Sequence, residues 1–122
     1  MSDRAPVSQV RLCIDANDVA LVTSFWSALL GYQVRETDDS ESDGWRHLDA
    51  DVVTLPKLTI QPVPEVKDRK NRLHLDIFVN DPEPWIERCL ALGGTKLWSS
   101  EDPDDLFQVI ADPEGNELCI CW

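Results

Sequence analysis

The sequence predicts an α+β fold made of two tandem strand–helix–strand–strand–strand modules. Three observations predict it: an internal repeat, short segments of period-two alternation, and two amphipathic helical segments with stop signals. An offset of 63 residues carries Arg11-Leu12-Cys13-Ile14-Asp15 onto His74-Leu75-Asp76-Ile77-Phe78. Without a gap it also carries Asn17-Asp18 onto Asn80-Asp81 and Leu30-Gly31 onto Gly93-Gly94. Three landmarks at one constant offset mark a duplicated unit.

In the first copy, Val10, Leu12 and Ile14 alternate with Arg11, Cys13 and Asp15, which predicts a strand with one apolar face. Asn17 or Asp18 can cap a helix whose apolar positions Val22, Phe25, Trp26, Leu29 and Leu30 recur at helical spacing. Gly31 supplies its stop. Strands are expected near Tyr32–Thr37, Trp45–Asp49 and Lys57–Pro62. In the second copy, Leu73, Leu75, Ile77 and Val79 alternate with His74, Asp76 and Phe78. Asp81 is expected to cap a helix that has Pro82 in its first position, where a missing N–H costs nothing. That helix runs through Trp85, Ile86, Cys89, Leu90 and Leu92 to Gly93-Gly94. Strands near Thr95–Trp98, Leu106–Ala111 and Asn116–Trp122 follow, the last two joined by Asp112-Pro113-Glu114-Gly115-Asn116. Trp26, Trp85 and Trp98 fall at apolar positions and are expected in the core.

The chain's 122 residues suit one domain, 1–122, with modules 7–63 and 72–122 joined by a linker, 64–71, that is basic in its middle. Eleven Lys and Arg against 23 Asp and Glu give a formal charge of −12. Phosphate contacts need clustered cations, so this balance argues against nucleic acid, and equally against anionic membrane surfaces. It suits a soluble surface and a neutral or cationic ligand. Two acidic segments, Asp38–Asp43 and Glu101–Asp105, occupy equivalent loops of the two modules. No stretch approaches the ~20 apolar residues of a membrane span, and the N-terminus lacks the apolar core of a signal peptide. Cys13, Cys89, Cys119 and Cys121 show no CxxC spacing and are expected as small buried hydrophobes with reduced thiols, in a cytoplasmic protein.

The segments Asp18 to Tyr32, Gln61-Pro62-Val63-Pro64-Glu65, Lys70 to Asp76 and Asp112 to Cys119 are similar, in this order, to the vicinal oxygen chelate superfamily. The resemblance is to its small glyoxalase-like branch, within the glyoxalase/bleomycin-resistance/dioxygenase fold. It implies two βαβββ modules whose mixed sheets curl as a half-barrel around a concave cavity, with the helices outside. It also implies a homodimer.

Under that architecture the polar face of the strands lines the cavity. A ligand would then meet Arg11, Trp45, His47, Gln61, Asp76, Phe78 and Cys119. Metal-dependent members of the superfamily carry ligands on the first and last strands of each module. Carried over, those positions are Arg11, Thr59 or Gln61, His74 and Cys119, with Glu117 two residues earlier on the same face. Arg11 stays protonated and ligates nothing, which leaves His74 as the firm ligand; if a divalent ion binds, the resemblance offers His74, Gln61 and Glu117 as an alternative trio. Without a metal, Arg11 and His74 become handles for a carboxylate or carbonyl, and Trp45 and Phe78 stack on a flat group.

Three functions remain open. One is a lyase or isomerase acting on a small oxygenated metabolite, with His74 and Glu117 as its catalytic pair. The second is a metal-free protein that sequesters a drug or antibiotic, as in the bleomycin-resistance branch. The third is an accessory domain without chemistry of its own.

Overall fold

Both halves of the chain fold by the same local logic. The computed structural model describes residues 6–36 and 44–122. The first half contains β1 (Arg11–Ala16), α1 (Val19–Leu30), β2 (Gln33–Val34), β3 (Arg46–Asp49) and β4 (Lys57–Pro62). The second contains β5 (Leu75–Phe78), α2 (Pro82–Ala91), β6 (Thr95–Ser99), β7 (Phe107–Ala111) and β8 (Glu117–Cys121). The acidic segment Asp38–Asp43 lies outside the described residues.

Each half forms one four-stranded sheet, ordered β1-β4-β3-β2 and β5-β8-β7-β6. In each, the first strand runs parallel to the last and the other pairings are antiparallel. The result is an α+β fold of two mixed sheets that do not close into a barrel. Leu48, Leu58 and Ile60 of the first sheet and Ile110, Leu118 and Ile120 of the second turn to a single core. Phe25, Trp26 and Leu29 of α1 and Ile86 and Cys89 of α2 complete it. The alternating polar residues are left on the opposite faces, as the period-two pattern requires.

Asp18 caps α1 as expected, its carboxylate accepting from the Leu21 N–H at 3.1 Å, and Gly31 ends the helix at φ 70°. Asp81 holds the matching place in α2 but its side chain makes no capping hydrogen bond. Pro84 at the third helical position removes one of the two N–H groups that a capping side chain can accept from, leaving only that of Glu83.

Some strands are shorter than the alternation suggests. β5 starts at Leu75, although Leu73 continues the pattern. Its partner β8 begins at Glu117, because Asn116 is held in the preceding turn by Asp112. The largest departure is Trp98, which is 53 % exposed. β6 pairs Lys96 with Ile110 but Ser99 with Gln108, a one-residue bulge. Past the bulge Trp98 falls in phase with Val109 and turns from the core face to the polar face.

Candidate functional site

The first sheet's polar face is a self-satisfied network. His47 Nδ1 lies 3.0 Å from the Thr59 hydroxyl and 3.5 Å from Arg11. The Cys13 thiol donates to the Gln61 amide oxygen at 3.4 Å. Arg35 grips Asp49 with two hydrogen bonds of 3.0 and 2.8 Å, and Lys57 stands 3.7 Å from the same carboxylate. Trp45 is half-buried just before β3. Of the residues expected to bind a ligand, Arg11, Trp45, His47 and Gln61 therefore belong to this half.

Burial first, then the Arg11 and Arg35 cations, hold the His47 imidazole below its ordinary value of 6.5. The folded protein thus resists protonating His47 more than the unfolded chain does. The resulting stability is whole above that ordinary value and is lost as pH falls through it. Denaturant titrations between about pH 7 and pH 5 should show this decline. His47→Gln should flatten it, and an unchanged slope would assign the effect to another group.

The second sheet's polar face forms a concavity of about 360 Å³. β5 and the residue before it contribute His74, Asp76 and Phe78; β8 contributes Glu117, Cys119 and Cys121. Phe107, Val109 and the bulge-turned Trp98 form an apolar wall, with Trp122 beside them. Trp98 and Phe107 meet edge to face, their centroids 5.4 Å apart. Asp104 and Asp105, from the second acidic segment, also line the cavity.

Three polar features define its chemistry. His74 Nε2 stands 2.9 Å from Asp76 Oδ1, so a carboxylate orients the imidazole. Glu117, only 8 % exposed, is paired with Lys70 and lies 3.9 Å from Lys67. The basic middle of the linker therefore neutralises Glu117 from above. Burial, followed by Asp76 and Cys121, pushes the Cys119 thiol up to about 12. Thus the site brings together His74, Asp76, Phe78, Glu117 and Cys119 but not Gln61, which stands on the other sheet.

Sequence reasoning missed two contributors: Trp98 was hidden by the bulge and Lys70 by its place in a linker. Asp104 and Asp105 come from one of the two acidic loops that the repeat places at the cavity rim. The equivalence of the two acidic loops was the one usable signal.

Ligand atoms of His74, Asp76 and Cys119 all lie within 4.8 Å of one another, which is close enough to converge on one ion. A family model described as a glyoxalase-like domain matches residues 11–121. The chain belongs to the glyoxalase-like domain family.

No curated protein matches this glyoxalase-like chain. Among solved structures it is similar to a glyoxalase/bleomycin resistance protein/dioxygenase family enzyme from Burkholderia phytofirmans PsJN. That likeness has a TM-score of 0.71 at 19% identity, covering 91% of this chain and 94% of that one. It is also similar to the fosfomycin resistance protein FosX of Mesorhizobium loti, with a TM-score of 0.68 at 10% identity, covering 99% and 92% of the two chains. A FosX variant from Listeria monocytogenes, solved with Mn(II) and a dihydroxypropylphosphonic acid, gives a TM-score of 0.72 at 12% identity over 95% and 90%. Identities this low show a shared fold and nothing finer. Among the described residues no helix is long and apolar enough to cross a membrane.

Proposed function

We propose that this glyoxalase-like protein binds a small, flat, neutral or cationic organic molecule in the concavity of its second sheet. The observation that carries the reading is convergence: Phe78, Trp98, Phe107 and Trp122 line the same cavity as the His74–Asp76 pair and three further carboxylates, Asp104, Asp105 and the lysine-paired Glu117. Aromatic faces attract a planar group, and Asp104 and Asp105 add attraction for a positive charge. A chain charge of −12 works in the same direction. Sequestration of a drug or antibiotic is the form of this function that needs no further chemistry.

Titrating the protein with proflavine, a planar cation, should quench tryptophan emission saturably. Trp98→Ala should weaken binding about tenfold, the size of one aromatic contact. Trp45→Ala should leave the affinity unchanged, because Trp45 belongs to the other sheet. Equal losses in both variants, or no saturable quenching, would remove the ligand from this cavity.

A second reading, lyase or isomerase chemistry on a small oxygenated metabolite, is favoured by one observation. The cavity holds an imidazole oriented by a carboxylate, the usual arrangement of a general base. Glu117, paired with lysines, is less suited to that part than Asp76. Turnover of a small hydroxycarbonyl compound that disappears in His74→Gln would carry this reading.

The same proposal places the protein in the cytoplasm as a homodimer. All four cysteines are free thiols, which suits a reducing compartment. β1 and β5 each lie at one edge of a sheet, and Val10, Leu73 and Phe78 on or beside them are exposed.

A further inference from the structure

We infer that His74, Asp76 and Cys119 form a binding site for one thiophilic divalent ion, Zn(II) or Co(II), contributed entirely by the second sheet. The superfamily resemblance places metal ligands on both modules. The donors of this chain do not fit that pattern: Arg11 occupies one position and Gln61 is engaged with Cys13 on the other sheet. Glu117, the remaining hard donor at the expected end of β8, is taken up by Lys70 and Lys67. A hard, oxygen-seeking ion such as Mn(II) is therefore poorly served.

The second sheet assembles a different set. His74 and Asp76 are two residues apart at the start of a strand, so their side chains share one face. Parallel pairing puts Asp76 directly opposite Cys119. The three residues supply nitrogen, oxygen and sulfur within 4.8 Å of one another. Register and alternation thus converge three different ligand types without any loop rearrangement. The side chains of His74 and Asp76 are exposed, so an ion can reach the site from the cavity.

Sulfur decides the class of ion. Thiolate favours Zn(II), Co(II) and softer ions over Mg(II) and Mn(II). On binding, the Cys119 S–H bond breaks, its proton passes to solvent and its electron pair forms the metal–sulfur bond. His74 binds as neutral imidazole and Asp76 as carboxylate, so two anionic ligands balance the dipositive ion. Three protein ligands would leave one position of a four-coordinate ion for water or another ligand. No electron transfer is involved.

The test uses the full chain without a histidine tag, reduced and stripped with a chelator. Titration with Co(II) should give one bound ion per chain and a thiolate-to-cobalt charge-transfer absorption. Zn(II) should displace it stoichiometrically, while a large excess of Mn(II) should not. Cys119→Ser should abolish the charge-transfer band, and Cys121→Ser should keep it. His74→Gln, on an exposed side chain, should weaken Co(II) binding about tenfold or more. Absence of the band in the parent protein, or its survival in Cys119→Ser, would overturn the inference. If Cys119→Ser fails to fold, His74→Gln decides: unchanged Co(II) affinity overturns the site. This inference does not rest on the organic ligand, since proflavine binding is measured on chelated protein and either result can fail alone.

Discussion

Asp112→Ala is expected to lower unfolding free energy by about 3 kcal/mol or more, because several buried donors lose their acceptor at once. Asp112 is 2 % exposed and both of its oxygens are occupied. Oδ1 accepts from the backbone N–H groups of Glu114 and Asn116, each at 2.9 Å. Oδ2 accepts from the indole of Trp26 at 2.9 Å and the amide of Asn116 at 3.0 Å. Alanine would leave the Trp26 N–H unpaired in the core and free the turn before β8. Glu114, two residues on, accepts the N–H groups of Asn17 and Asp18 at 2.7 Å, so the same turn ties the two halves together. Asp112→Asn should cost less, about 1–3 kcal/mol, because one oxygen survives while its new NH₂ faces other donors. Urea unfolding followed by tryptophan emission measures both. A loss for Asp112→Ala within about 0.5 kcal/mol, the range of ordinary surface changes, would refute the role given to this carboxylate.

Gly94→Ala is the second large effect, expected at the upper end of the about 1–3 kcal/mol that overpacking costs. An added Cβ would stand 2.9 Å from the Cys89 carbonyl oxygen, 3.0 Å from that of Ala111 and 3.2 Å from Phe25. Two of those neighbours are backbone, so neither can swing away. The repeat aligns Gly94 with Gly31, yet their reasons differ. Gly31 sits at φ 70° with nothing near a Cβ, so Gly31→Ala should cost only about 1 kcal/mol of left-handed strain. Thermal unfolding of the two variants compares crowding with conformation directly. Equal shifts in Tm would show that space at Gly94 is not limiting.

These two positions also show how far the sequence could be read. Repeat matching found both glycines but could not distinguish a left-handed helix end from a close approach of backbones. Asp112 was legible as a turn residue. Its bond to Trp26, 86 residues away, was not, because no local pattern encodes which indole meets which carboxylate. Strand alternation separated core from polar face for β1, β4, β5 and β8, and so placed His74, Asp76, Phe78, Glu117 and Cys119 on one face. It failed for Trp98, since one extra residue in β6 inverts every side chain beyond it. It also could not say that Glu117 would be matched by Lys70 from the linker.

By itself, then, the sequence determined the duplicated α+β architecture, the order of the elements and the residue types on each face. Those follow from periodicity, helix stops and turn chemistry, which act over a few residues. Only the tertiary structure decided that the polar candidates divide between two sheets, leaving Arg11, His47 and Gln61 apart from the His74 cavity. It also decided that Asp76, rather than Glu117, faces His74 and Cys119. Pairing register and long-range charge partners depend on how the two halves pack, and packing is settled by the whole core at once.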